Sequence, residues 1–479
     1  MKTIETEVAI IGAGTSGLNA RREVEKSGKR WLLIESGPYG TTCARVGCMP
    51  SKLLIAAADA AHGIHQAARF GIKVDPAAVE IDGSAVLERV RRERDRFVGF
   101  VVQSTEDLDP QFRIRGRARF AGPTTLHIDD HTEVRASSVV IATGSSPWIP
   151  PQLEPIRDQL LVNDDVFEWT KLPSSIAVFG TGIIGLELGQ ALMRLGVRTT
   201  FFNPYETLGP FSDPKVAEAA RRTLGEDLDL QLGTEPIEVK RDGDEFSLRY
   251  RRKDGTEEQA RFEQILVAAG RRPNLAGLGL ETTGLALDKK GQPQWNPYTT
   301  QCGDRPIFLA GDVSGHRPLL HEAGDEGRIA GSNAVRYPNV VAHTRRTPLA
   351  IAFTEPQMAM VGKSYRELDP SSIAIGEVSY EDQGRARVMG QNRGFARIYA
   401  DPVNCVLLGA EMFGPRVEHT SHLLAWAVQQ RLRVHDALSM PFYHPVIEEG
   451  IRTLLRSLAE SLQIRGGCPP EHEAESAGM

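Results

Sequence analysis

Two cysteines five positions apart, Cys43 and Cys48, stand in the run GTTCARVGCMPSK. A zinc site is excluded by ligand count, because no second cysteine pair or nearby histidine cluster completes a set of four, and no metal is expected. Two unrelated buried thiols are the plainer alternative. In a regular helix, residues five apart are offset by about 7.5 Å along the axis, beyond the usual Cα separation of a disulfide. A bond between Cys43 and Cys48 therefore needs an irregular backbone, which Gly47 would permit, and a strained bond is the labile, redox-active kind. A second candidate pair lies about 400 residues away. His444 precedes Pro445, which places it outside a helix with Pro445 at the first helical position. Glu449 then falls in the early turns, where a carboxylate can fix the tautomer of an acid–base histidine. Glu448 and Glu449 could instead only complement the helix N-terminus, a role that suits Glu448. His62, His65, His321 and His419 read as surface or helix residues with no chemical role.

These groups need a scaffold, and the chain announces one twice. Residues 8–11 form a short apolar run, read as a buried parallel strand, that leads into Gly12-Ala13-Gly14-Thr15-Ser16-Gly17. A helix-like segment follows to about Gly28, then a second buried strand at residues 31–34 closed by Glu35, 23 residues after Gly12. The order recurs with a strand at residues 176–179, the turn Gly180-Thr181-Gly182-Ile183-Ile184-Gly185, a helix over 186–195, and a strand at 199–202 ending in Asn203, again 23 residues on. One such turn is a weak signal. Two with matching distances point to two dinucleotide sites, each holding a pyrophosphate on bare backbone N–H groups at the positive end of a helix. Glu35 stands where a carboxylate chelates an adenosine ribose, which favours FAD or NAD over a 2′-phosphorylated ligand. Strand runs ending at Gly144 and Gly270 would close the two sheets, and a further strand at 307–310 leads to Asp312. From about Thr347 alternating strands, a hairpin turn at 401–404 and helices over 417–432 and 447–462 read as an α+β domain without a nucleotide.

Length and composition bound the rest. A chain of 479 residues holds two to four domains. With 56 Lys and Arg against 62 Asp and Glu, the net charge of −6 offers no field for nucleic acid, so none is expected as a partner. No apolar run approaches membrane-spanning length, and the charged N-terminus resembles no export signal. Five scattered cysteines are too few for a secreted disulfide framework. The expectation is a cytoplasmic protein.

The run GTTCARVGCMPSK, with GAGTSG before it, AGD at 310–312 and HPVIEE at 444–449, closely resembles the class I flavoprotein (pyridine nucleotide) disulfide oxidoreductases, and the dihydrolipoamide dehydrogenases among them most. The resemblance implies an α/β fold with two Rossmann-like domains, one for FAD and one for NAD, plus a C-terminal α+β dimerisation domain. It sets an FAD domain at 1–150, an NAD domain at 151–272, completion of the FAD and central region at 273–346, dimerisation at 347–465 and a disordered tail at 466–479. Carried over by position, Cys43 is the interchange thiol and Cys48 the thiol that contacts the flavin. Lys52 lies by the flavin and pairs with Glu187, Asp312 binds the ribityl chain, and Glu449 supports His444. The resemblance further implies a homodimer with a shared active site, acting on dihydrolipoamide or a lipoyl domain of a multienzyme complex. Three departures stand out: Thr41 replaces a common Gly, Asn203 replaces the acid of the second cofactor site, and Arg21-Arg22 replace a more apolar pair. A glutathione-type or other small-disulfide reductase is the nearest rival. Mercuric reductase would want paired C-terminal cysteines, where Cys468 stands alone, and a soluble transhydrogenase would lack the first thiol. A flavin-bound scaffold or moonlighting binding protein would need none of Cys43, Cys48, His444 and Glu449.

Overall fold

The structure is a computed structural model that describes residues 1–464; the tail expected at 466–479 lies outside the described residues. The strand Lys2–Ile11 occupies the middle of the first sheet, because Val8 to Ile11 are buried on both faces and can sit only between neighbours. It pairs in parallel with Trp31–Glu35 on one side and Thr132–Ile141 on the other. The ten-residue strand Thr132–Ile141 has two partners along its far edge. Its first half takes the antiparallel strand Thr125–Ile128, and its second half takes Ile307–Leu309 in parallel. Residues beyond 300 thus complete a sheet begun at residue 2.

The second sheet is parallel throughout, in the order Asp229–Leu232, Arg198–Asn203, Ser175–Phe179, Gln264–Val267, Leu161–Val162. A three-stranded antiparallel sheet, Glu235–Asp242, Glu245–Arg251 and Glu257–Phe262, packs on it through Phe246, Leu248 and Phe262. The chain crosses between the two large sheets twice. The two crossings pair with each other as the antiparallel strands Ser145–Pro147 and Arg271–Pro273. Gly144 and Gly270 sit at these crossings, both at positive φ.

The C-terminal unit is a five-stranded antiparallel sheet in the order Leu349–Ala352, Gln357–Gly362, Leu407–Gly414, Phe395–Ala400, Ala374–Ser379. The helices Val417–Gln429 and Glu449–Ile464 pack on it. The second of these corrects an expectation: Pro445 is not its first residue, and the helix begins only at Glu449. The reason is local. Glu449 turns back to accept the N–H of Val446 at 3.2 Å, and the helix opens on i to i+3 bonds from Gly450 to Ile447 and from Ile451 to Glu448. Among the described residues no helix is long and apolar enough to cross a membrane.

A buried polar joint fixes the second unit to the C-terminal sheet. Asp213, fully buried, caps the helix Pro214–Gly225 by accepting from Lys215 N–H at 2.9 Å, and also receives Arg397 at 3.0 Å and the Tyr399 hydroxyl at 2.9 Å. Beside it the buried carboxylate of Glu411 accepts the N–H groups of Ser212, Asp213 and Tyr365. Removing one member of such a joint strands its partners. Asp213→Ala should therefore cost about 3–5 kcal/mol, the usual penalty for breaking a buried ion pair. Urea denaturation checks this, and a loss below about 1 kcal/mol would show that the joint is not a stabilising contact.

Candidate active site

The two glycine turns are superimposable in their logic. A Cβ on Gly17 would lie 1.8 Å from the Gly12 carbonyl oxygen, and one on Gly185 would lie 2.0 Å from that of Gly180. Only glycine lets each helix start so close to its turn. By contrast, Cβ atoms on Gly14 and Gly182 would meet nothing within 4 Å. These are the faces left open at the helix N-termini, and both turns fit a dinucleotide pyrophosphate.

The residues that end the second strands differ. Glu35 accepts the N–H of Ala13 and that of Gly37, both at 2.7 Å, which aims its carboxylate across the first turn with acceptor capacity to spare. Asn203 links the equivalent positions through different bonds. Its Nδ2 donates to Thr181 Oγ1 and to the Thr207 carbonyl, and its Oδ1 accepts the N–H of Tyr205 at 3.3 Å. It is committed to the protein and carries no charge. The nearby Lys253 is paired to Glu206 at 2.7 Å.

Cys43 lies in the short helix Thr42–Val46 and Cys48 opens the helix Cys48–Gln66, with Gly47 between them at φ −131°, ψ −118°. Gly47 breaks the helix where the spacing argument requires irregular backbone. A side chain there would press on the Thr42 carbonyl at 3.1 Å and the Cys43 Cα at 3.2 Å. The two sulfurs stand here as thiols on either side of this break. The Cys43 thiol donates a hydrogen bond to Cys48, which pulls Cys48 down to about 7, with the Lys52 ammonium acting in the same sense. Cys43 is pushed up by that bond and by burial. The bond and the Lys52 charge thus favour the thiolate at Cys48 over that at Cys43.

Lys52 Nζ lies 2.7 Å from Glu187 Oε2, and the other oxygen of Glu187 accepts the N–H of Phe353 at 2.8 Å. Lys52 also sits 4.6 Å from the centre of the Phe353 ring. Phe353 is absent from the sequence reading, and nothing local in FTEP marks it. Asp312 begins a turn after the last strand of the first sheet and accepts from Ser145 Oγ at 2.9 Å, while Arg271 donates to the same hydroxyl at 2.8 Å. Arg21 is folded over the Trp31 ring and paired to Glu25, so it is occupied within its own helix and sheet.

His444 stands apart from these residues. Its Nδ1 is 3.0 and 3.1 Å from the two oxygens of Glu449, and its side chain is 80% exposed. The hydrogen bond to His444 holds the Glu449 carboxyl below its usual range. No hydrogen bond or ion pair among the described residues joins His444 to Cys43 or Cys48. Nor does any group of three or more His, Cys, Asp or Glu side chains among them form a metal site.

Residues 6–327 match the pyridine nucleotide-disulphide oxidoreductase family and residues 349–455 match its dimerisation domain. The chain belongs to that family. It is therefore an oxidoreductase of the flavoprotein disulfide class that uses FAD and NAD(H), and its dimerisation domain supports a homodimer. Dihydrolipoyl dehydrogenase 3 of Pseudomonas aeruginosa is 30% identical over 466 residues, spanning 93% of this chain and 96% of that protein. Mercuric reductase of Staphylococcus aureus is 27% identical over 455 residues, 93% of this chain and 81% of that one. The solved flavoprotein disulfide reductase RclA of Escherichia coli shares the fold, with a TM-score of 0.78 at 20% identity over 95% of this chain and 99% of that chain.

Two expectations follow from the thiol motif. Thr41 holds φ +56°, ψ 147°, a left-handed-side conformation that a β-branched residue adopts only under strain, while its hydroxyl accepts the N–H of Ala44 at 3.3 Å. Relief of roughly 1–3 kcal/mol of strain should outweigh the lost cap and the added chain entropy of glycine, so Thr41→Gly should stabilise by about 1 kcal/mol. A thermal melt checks it, and a lower melting temperature would contradict it. For the thiols, a Cys48 held near 7 below the ordinary value of 9 is thiolate above pH 7 and thiol below it. Alkylation of Cys48 in the reduced protein, followed by peptide mass spectrometry, should rise with a midpoint near pH 7, and a midpoint near 9 would remove the assigned electrostatics.

Proposed function

We propose that the protein oxidises dihydrolipoamide to lipoamide with NAD as the acceptor, through a Cys43–Cys48 disulfide and FAD. The observation that carries this reading is the thiol pair itself: Cys43 and Cys48 on either side of the Gly47 break, with Lys52 one turn along the same helix and held by Glu187. In the oxidised state a substrate thiolate attacks Cys43 Sγ. A substrate–Cys43 bond forms, the Cys43–Cys48 bond breaks, and Cys48 leaves as the thiolate that Lys52 and the Cys43 region stabilise. The partner subunit's His444, with Nδ1 held by Glu449, takes the proton of the second substrate thiol at Nε2. That thiolate attacks the substrate sulfur of the mixed disulfide, closing lipoamide and releasing Cys43 as a thiolate that takes the proton held on the partner subunit's His444, the proton of the first substrate thiol having gone to solvent. The substrate has lost two electrons, and the dithiol holds them. FAD, when bound, supplies the acceptor for this pair and the route to NAD. Gly12, Gly14, Gly17 and Glu35 hold the first dinucleotide, Asp312 and Lys52 stand by it, and Gly180, Gly182, Gly185 and Asn203 serve the second. Gly144 and Gly270 follow the strands Thr132–Ile141 and Gln264–Val267 that flank these sites.

Asn203 supports one rival, a glutathione-type reductase using NADPH, because the ribose-chelating acid is missing. Pro204 and Pro210 supply no cation in its place, and each charge-assisted hydrogen bond to a 2′-phosphate is worth roughly 1.5–3 kcal/mol.

The test combines substrate with subunit. The wild type should reduce NAD with dihydrolipoamide, and kcat/KM for NADH should exceed that for NADPH in the reverse direction. Cys43→Ser and His444→Gln should each be inactive, and mixing them under conditions of subunit exchange should restore part of the activity. Hybrid dimers would carry one site with both defects and one with neither. Turnover of glutathione disulfide with NADPH in place of lipoamide would overturn the substrate, and proven exchange without recovery would overturn the shared site.

A further inference from the structure

The thiol-bearing helix Cys48–Gln66 lies beside the helix Ile183–Arg194 that follows the second glycine turn. Their contact has two ionic rungs. Lys52 meets Glu187 at 2.7 Å, and seven residues further along both helices Asp59 Oδ1 meets Arg194 Nη1 at 2.6 Å. The polarity reverses between rungs, so the cation is on the thiol helix in the first and on its neighbour in the second. A strap from the C-terminal unit touches both. Phe353 donates to Glu187, and Glu355 takes Arg194 Nη2 at 2.8 Å. Between the rungs Gln190 exchanges two hydrogen bonds with the backbone of Glu355, at 3.0 and 2.8 Å.

Arg194 is the enclosed member of the second rung, with its side chain 5% exposed against 53% for Asp59 and 34% for Glu355. It separates two carboxylates that belong to different units. Burial raises the Asp59 carboxyl and the Glu355 charge raises it further, while Arg194 draws it down. Other charges reach this cluster. His62, bonded to Gln66, is lowered by burial and by Arg194, with Asp227 and Arg69 acting on it from further off, and Arg416 acts on Asp59.

We infer that Arg194 is a positioning residue of the redox centre: by bridging Asp59 and Glu355 it keeps the thiol helix in register on its neighbour and on the 353–355 strap, and so holds Lys52 at Cys48. The inference deepens the proposed function and rests on Cys48 being its electron-relay thiol. Loss of the guanidinium sets Asp59 and Glu355 against each other and loosens the first rung, leaving Cys48 with less of the Lys52 field. A Lys at 194 keeps a cation between them.

The experiment is alkylation of the reduced holoprotein by iodoacetamide across pH, with the Cys48 peptide quantified by mass spectrometry. Arg194→Gln should move the Cys48 midpoint upward by about one pH unit, which slows alkylation at pH 7 about fivefold. Arg194→Lys, and Asp59→Asn combined with Arg194→Gln, should both return to within about twofold of wild type. An unchanged profile in Arg194→Gln overturns the inference. So does an equal shift in all three variants, since lost packing would then be the cause. If Arg194→Gln does not fold, Asp59→Lys at the half-exposed end of the rung opposes two cations and should shift Cys48 upward too, and a wild-type profile there overturns the inference. A wild-type midpoint near 9 would count against the relay thiol itself, whatever Arg194 does.

Discussion

The carboxylate of Glu187 is the contact on which the arrangement turns. It is 5% exposed, and a charge withdrawn from water costs several kcal/mol unless partners meet it with good geometry. Its two oxygens are divided between Lys52 and the Phe353 N–H, groups 135 and 166 residues away in the chain. Neither partner alone saturates it. The first unit, the second unit and the C-terminal unit must therefore converge on this point before Glu187 is tolerable, and the same convergence sets the Lys52 ammonium near the thiol four residues before it. Stability and thiol electrostatics share one ion pair, which is why the redox helix cannot be understood within its own unit.

A second constraint is repeated rather than shared. Both glycine turns press a helix start onto a backbone carbonyl and leave their middle glycine open, because this is what a pyrophosphate needs from either cofactor. What varies is the residue that bridges the turn. Glu35 joins two backbone N–H groups and stays a carboxylate, whereas Asn203 makes the corresponding bridge to Thr181 and Tyr205 with a neutral amide. The amide preserves the shape of the second turn without its charge, so shape and nucleotide discrimination have separated at that site.

Both turns, the thiol pair and the spacing of His444 to Glu449 were legible because each is a local pattern whose chemistry follows from a few consecutive residues. The same holds for the strand runs, whose apolar blocks can only be sheet interiors. Long-range contacts were not legible in this way. Nothing near Phe353, Glu355 or Arg194 marks them as partners of the thiol helix, since their meeting depends on how three units dock. The start of the last helix was misplaced for a local reason: proline suits a first helical position, but Glu449 satisfies Val446 and His444 with its side chain and delays the helix. Thr41 was visible as a departure, yet its positive φ is a property of the backbone that the residue type argues against.

His444 shows where a single chain stops being sufficient. Its Nδ1 faces Glu449, which fixes the tautomer and leaves Nε2 as the basic atom. That atom projects from an exposed side chain of the dimerisation domain. A base held on one side and open on the other is useful only to a group brought from outside, and in a homodimer the symmetric neighbour brings the same surface in return. On the proposed reading, electrons are then handled within one subunit, at the Cys43–Cys48 pair and the first dinucleotide site beside it, while the proton is handled by the other. Each subunit would supply what the other lacks, so dissociation would leave the thiol electrostatics intact and remove the base, separating two steps that the dimer couples.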